Sequence, residues 1–156
     1  MLRACKCIGA GAVAILLFVT PVAAQARTVQ LQIDNPEMVV NEHARPIDEY
    51  GSVPLIIDGR TLAPLRPVIE ALGGTVLWDE DLRLLTIRDH LKENEIIVKI
   101  NSYDSVVNAR TGPQLDVAPT LIDDVTMVPI LFIAHHLGFD IEWDDDTRTI
   151  TITKEE

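Results

Sequence analysis

The chain has 156 residues, with 24 acidic against 13 basic side chains and a net charge of −11. So negative a surface repels nucleic-acid phosphates and disfavours direct adhesion to anionic lipid. Both cysteines, Cys5 and Cys7, stand near the N-terminus, which excludes a disulfide scaffold for the rest.

Residues 1–26 read as a signal peptide. Arg3 and Lys6 form a basic start, residues 8–19 are apolar, and Pro21 precedes a small-x-small cleavage site at Ala24-Gln25-Ala26. The apolar core is about a dozen residues, short of the roughly 20 needed to span a bilayer. Neither cysteine lies at the cleavage point, as a lipoprotein requires. Cleavage after Ala26 removes Arg3 and Lys6 and no acid, which deepens the net charge from −11 to −13. The expected product is secreted or held in the cell envelope, is not an integral membrane protein, has no cysteine and depends on its core.

Val29, Leu31 and Ile33 alternate with Thr28, Gln30 and Gln32, the pattern of a half-buried strand. Asp34-Asn35-Pro36-Glu37 is a turn and residues 38–40 a second strand. Residues 41–53 are polar, contain Pro46 and Gly51, and read as a loop. Residues 54–88 then read as strand, turn, strand, short helix and hairpin. Asp58-Gly59 between apolar arms is a hairpin turn. Pro64 ends the strand at a helix entrance, and Pro67 is tolerable in the first turn. Leu65, Val68, Ile69 and Leu72 share one helix face, and Gly73 closes it. A helix of about two turns does not persist alone in water, so its apolar face must lie on a sheet. Trp78 stands before the acidic turn Asp79-Glu80-Asp81, and residues 83–87 return as a strand.

Residues 89–94 are charged and short enough for a hairpin turn. Residues 95–100 and 105–107 repeat the opening strands. Residues 119–153 then match 54–88 at a constant shift of 65, with Pro54, Asp58, Thr61, Pro64, Leu72, Gly73, Trp78, Asp79 and Ile87 all repeated. Val39-Val40-Asn41 matches Val106-Val107-Asn108 at a shift of 67, so the first copy holds two extra loop residues. The expected fold is α+β: two tandem pseudo-repeats, about 27–90 and 91–156, of antiparallel hairpins with one short helix each. They pack as one integrated, two-lobed domain over residues 27–156. Edge strands in such a domain leave a homodimer open.

Asp58 to Arg66, Ala71-Leu72-Gly73 and Trp78-Asp79, with Thr126 to Pro129, Leu137-Gly138 and Trp143-Asp144, carry a resemblance. The chain resembles the copper amine oxidase N-terminal-like, or stalk, domain family, in two tandem copies. The resemblance implies a secreted or surface-attached, non-catalytic appendage with no cofactor. The second copy departs from the pattern at Asp124, Val125 and Leu131, losing the glycine and both arginines.

Four residues are candidates for ligand binding. Trp78 and Trp143 occupy matching positions, where a tryptophan closes the core if buried and offers a stacking platform for sugar rings if exposed. Arg60 and Arg66 flank the bend of the first copy, and either pair with Asp58, Glu70 or Asp79 or bind an anion. The acidic turns lack the spacing of a calcium loop, and the first Asp of each bonds its own turn. His135 and His136 are adjacent on a helix and point about 100° apart, while His43 and His90 have no ligand-spaced partner, so no metal is expected. No nucleophile elbow, phosphate loop or zinc motif occurs. The leading expectation is an exported non-enzymatic module whose partner is an envelope protein or glycan. A small hydrolase or hydrolase inhibitor is the rival, and would gather His136, Arg66 or paired carboxylates in one cleft.

Overall fold

The computed structural model describes residues 26–155, and structural statements below concern these; the expected signal peptide, apart from Ala26, lies outside the described residues. The first half runs β1 (Arg27–Gln32), β2 (Glu37–Val40), β3 (His43–Pro46), β4 (Leu55–Ile57), β5 (Arg60–Pro64), α1 (Leu65–Ala71), β6 (Thr75–Asp79) and β7 (Leu84–Asp89). The second repeats that order as β8 (Asn94–Lys99), β9 (Ser105–Val107), β10 (Arg110–Thr111), β11 (Thr120–Ile122), β12 (Val125–Pro129), α2 (Ile130–His136), β13 (Asp140–Asp144) and β14 (Thr149–Lys154). The fold is α+β, with antiparallel sheets and two short helices.

The halves are not two lobes, because each sheet takes strands from both. The orders are β13-β14-β1-β2-β3, β10-β9-β8-β7-β6 and β11-β12-β5-β4. The first two sheets are images of each other. Within a continuous hairpin, Ile87 faces Ile96 and Leu85 faces Val98. Across the chain ends, Ile152 faces Val29 and Ile150 faces Leu31, the same register at equivalent residues. The third sheet joins the two central hairpins, with Val128 opposite Ala63. Pseudo-two-fold symmetry thus closes the molecule by laying its last strand on its first.

Residues 41–53 are not wholly loop. They contain β3, which pairs with β2 through the tight turn Asn41-Glu42, both at positive φ. Every residue of β3 is exposed, so no buried face imposes an apolar alternation and the pattern is silent. Strand β10, equally exposed, escaped the pattern for the same reason.

Both helices end as their glycines require. Gly73 and Gly138 have φ of 76°, and the next residue's N–H reaches back five positions, Gly74 to Ile69 O and Phe139 to Ala134 O, each at 2.9–3.0 Å. The helix faces are fully buried, and one core draws Leu72, Ile87 and Leu31 from one half and Leu137, Ile152 and Ile96 from the other.

The central hairpin turns match in shape but not in residue. Asp58 and Gly59 have φ of 49° and 73°, and Asp123 and Asp124 have 50° and 64°. The second position favours glycine, since a side chain there crowds its own carbonyl. Asp124→Gly is expected to raise stability by roughly 0.5–1 kcal/mol, and Gly59→Asp to lower it by a similar amount. Urea midpoints for the two variants check this; equal shifts of the same sign would contradict it.

Two charged groups, one from each half, meet in the core. Asp89 ends β7 and Lys154 ends β14, 65 residues apart, so they are repeat equivalents. Lys154 Nζ donates to Asp89 Oδ1, both side chains are buried, and the ammonium lies 5.7 Å from the Phe139 ring centre. Asp89 also accepts the N–H of Lys92 at 3.1 Å. Burial alone would raise the Asp89 carboxyl; the Lys154 hydrogen bond and charge and the backbone donors outweigh it and hold it below the ordinary value.

Candidate functional site: two tryptophan grooves

Since β5 and β12 lie side by side and antiparallel, the tip of each central hairpin reaches over the helix of the other half. Two equivalent grooves result. In the first, of about 450 Å³, Leu121 and Asp124 of the second hairpin face Arg66 and Pro67 of α1 and Trp78 of β6. In the second, of about 520 Å³, Ile56 and Gly59 of the first hairpin face Leu131 and Phe132 of α2 and Trp143 of β13.

Both tryptophans are 39% exposed, so neither is a core residue. The reason is positional: β6 and β13 are edge strands, each paired on one side only among the described residues. Trp143 Nε1 donates to Asp145 Oδ1, which fixes that ring. The exposed indoles meet the condition for stacking.

Arg66 forms an ion pair with Glu70 at 3.5 Å, as the sequence allowed, and its Nη1 donates to Val76 O at 3.1 Å. Arg60 does not meet Asp58, Glu70 or Asp79. Its Nε donates to Asp116 Oδ2 at 2.6 Å, on a loop 56 residues away whose approach no local pattern encodes. Arg66 therefore sits in the first groove and Arg60 in the second.

The first groove holds groups the sequence reading missed. Tyr50 is largely exposed there, beside Asp48. Asp48 Oδ1 accepts the N–H of Tyr50 and of Ser52, each at 3.0 Å. Its other oxygen, Oδ2, is out of solvent contact and has no hydrogen-bond partner among the described residues. Burial pushes the Asp48 carboxyl up, but hydrogen bonds from Ser52, Tyr50 and Gly51 outweigh this and hold it below the ordinary value, so it is ionised at neutral pH.

The second groove is lined instead by the α2 histidines. The His136 ring packs 4.4 Å from Phe132 and 5.1 Å from His135. Burial, and then the neighbouring His135, pull the His136 pKa down, so it is neutral at pH 7. Arg66 and His136, which a hydrolase site would gather, lie in different grooves.

The acidic turns serve themselves. Asp79 Oδ1 accepts the N–H of Leu82 at 2.9 Å, and Asp144 Oδ1 that of Asp146 at 2.9 Å. Hydrogen bonds from Thr147, side chain before backbone, depress the Asp144 carboxyl.

Residues 49–152 match the family model of the copper amine oxidase N-terminal domain. The chain belongs to this family. The copper amine oxidase N-terminal domain match is a single domain running from the loop before β4 into β14, across both repeats, where the sequence reading expected two tandem family copies. It is the accessory N-terminal domain that is matched, not the oxidase domain. No curated protein matches the chain. Its donors do not fit a copper centre: His43 Nδ1 bonds Asn41 O, His90 Nε2 bonds Thr75 Oγ1, and His135 and His136 lack a third ligand. Among the described residues, no three His, Cys, Asp or Glu side chains converge as a metal site.

Proposed function

We propose that the chain is an exported, non-catalytic binding module of the cell envelope, built from a duplicated unit of its family, and that it holds a glycan in the Trp78 groove. One observation carries this reading. A half-exposed indole lines the same groove as the ionised Asp48 carboxylate, an arginine and an exposed tyrosine. Sugar rings offer an apolar face to stack on an aromatic and hydroxyls to donate to a carboxylate. Export follows from the basic, apolar and small-residue sections of residues 1–26.

The test titrates the mature chain with soluble cell-wall glycan fragments and neutral glucans, reading indole fluorescence in a Trp143→Phe background so that Trp78 alone reports. Quenching is expected with one of these classes. Trp78→Ala should weaken binding about tenfold or more, and Asp48→Asn should weaken it while leaving the fold intact. Absence of quenching by every glycan, or affinity unchanged in both variants, would remove the reading.

A further inference from the structure

The two grooves differ at one residue that decides whether a sheet edge is open. In the first, Arg66 Nη1 caps the carbonyl of Val76, which points to the outer side of edge strand β6. The equivalent strand is β13, whose outer side pairs with no strand among the described residues. The position of Arg66 is taken there by Leu131, which has no donor to offer the carbonyl of Ile141. Backbone orientation repeats every second residue, so Trp143 presents its N–H and C=O to the same side as Ile141.

The side chains of β13 set what can pair with that edge. Ile141, packed on the core, and Trp143, which lines the groove, share one face, whereas Asp140, Glu142 and Asp144 share the exposed face. An added strand would direct alternate side chains into the groove, over Leu131, Phe132 and Ile56, and the others against the three carboxylates. Opposite charges on neighbouring strands attract, and like charges repel.

We propose that β13 and the Trp143 groove bind an extended segment of a partner protein by strand addition, in which apolar residues alternate with lysine or arginine. The apolar set enters the groove and the basic set faces Asp140, Glu142 and Asp144. Carboxylates along a bare edge also keep β13 from pairing with a second copy, which would bring acid against acid. The interaction is independent of the glycan site, which uses the other groove.

The test uses the mature chain and three synthetic heptapeptides: alternating Lys and Val, the same with its central residue Pro, and alternating Glu and Val. Calorimetry is expected to show binding of the first and at least about tenfold weaker binding of the second, which keeps its charge but cannot complete a ladder. The third should not bind. The exchange of the Ile141 and Trp143 amides should slow only with the first. Leu131→Arg, which installs the cap of the other groove, should abolish binding. Glu142→Lys, at an exposed position that leaves the fold intact, should weaken the Lys peptide and admit the Glu peptide. Equal binding of the Lys and Pro peptides would mean charge attraction alone and would overturn the proposal, as would no binding. Quenching of Trp143 by glycans, undiminished in Leu131→Arg, would assign this groove to sugar instead. Failure here with glycan binding at Trp78 intact would leave the proposed function standing.

Discussion

Replacing Lys154 with methionine is expected to cost about 3–5 kcal/mol, a large share of the stability of a domain this size, although the residue stands close to the chain end. The loss comes less from the missing ion pair than from what remains. Asp89 is buried, and without the ammonium its carboxylate has only the backbone donors of the following turn, Leu91 and Lys92. The double variant Asp89→Leu/Lys154→Met should recover most of that loss, since a well-packed apolar pair substitutes for a buried ion pair at little or no cost. Urea denaturation of the wild type, both singles and the double reads the cycle. A single-variant cost under about 1 kcal/mol would show that water reaches the pair. The acid limb follows from the depressed Asp89 carboxyl. Its contribution is fully present above the ordinary aspartate value, about 3.9, and fades as pH falls through the lower folded value. In the double variant that part of the acid sensitivity should disappear.

Ile152→Ala is expected to cost about 2–4 kcal/mol, within about 1 kcal/mol of Ile87→Ala. Chain ends normally fray and tolerate change. Here the last strand lies between β13 and β1, and Ile152 is fully buried against Val29 and Ile141 in the register that Ile87 has with Ile96 and Val76. Symmetry makes the two isoleucines equivalent, so their costs should match. A cheap Ile152→Ala beside a costly Ile87→Ala, by thermal or chemical unfolding, would mean that β14 does not close the structure in solution.

The local elements were legible because each has a local cause. Asp58-Gly59 and the glycines after the helices need left-handed backbone, and the residue types said so. Leu65, Val68, Ile69 and Leu72 marked one buried face of α1, and the constant 65-residue shift carried that reading to Ile130, Ile133 and Leu137 of α2. Strands β3 and β10 were missed because they bury nothing. The grooves were half legible. Trp78, Trp143, Arg60 and Arg66 were singled out by type and repetition, and all four line the grooves. Asp48, Tyr50, Asp116 and Phe132 carried no signal, because a loop's line of approach depends on distant strand pairing.

By itself the sequence determined the repeat, the turns, the helices and the strands facing the core, all governed by periodicity and backbone sterics within a few residues. Only the tertiary structure decided that the halves interleave rather than stand apart, that Asp89 meets Lys154, and that each tryptophan shares a groove with the opposite half. These rest on contacts between residues far apart in the chain, such as Gln32 with Thr147 at 115, where burial of the whole apolar surface selects one pairing among several that local patterns permit equally.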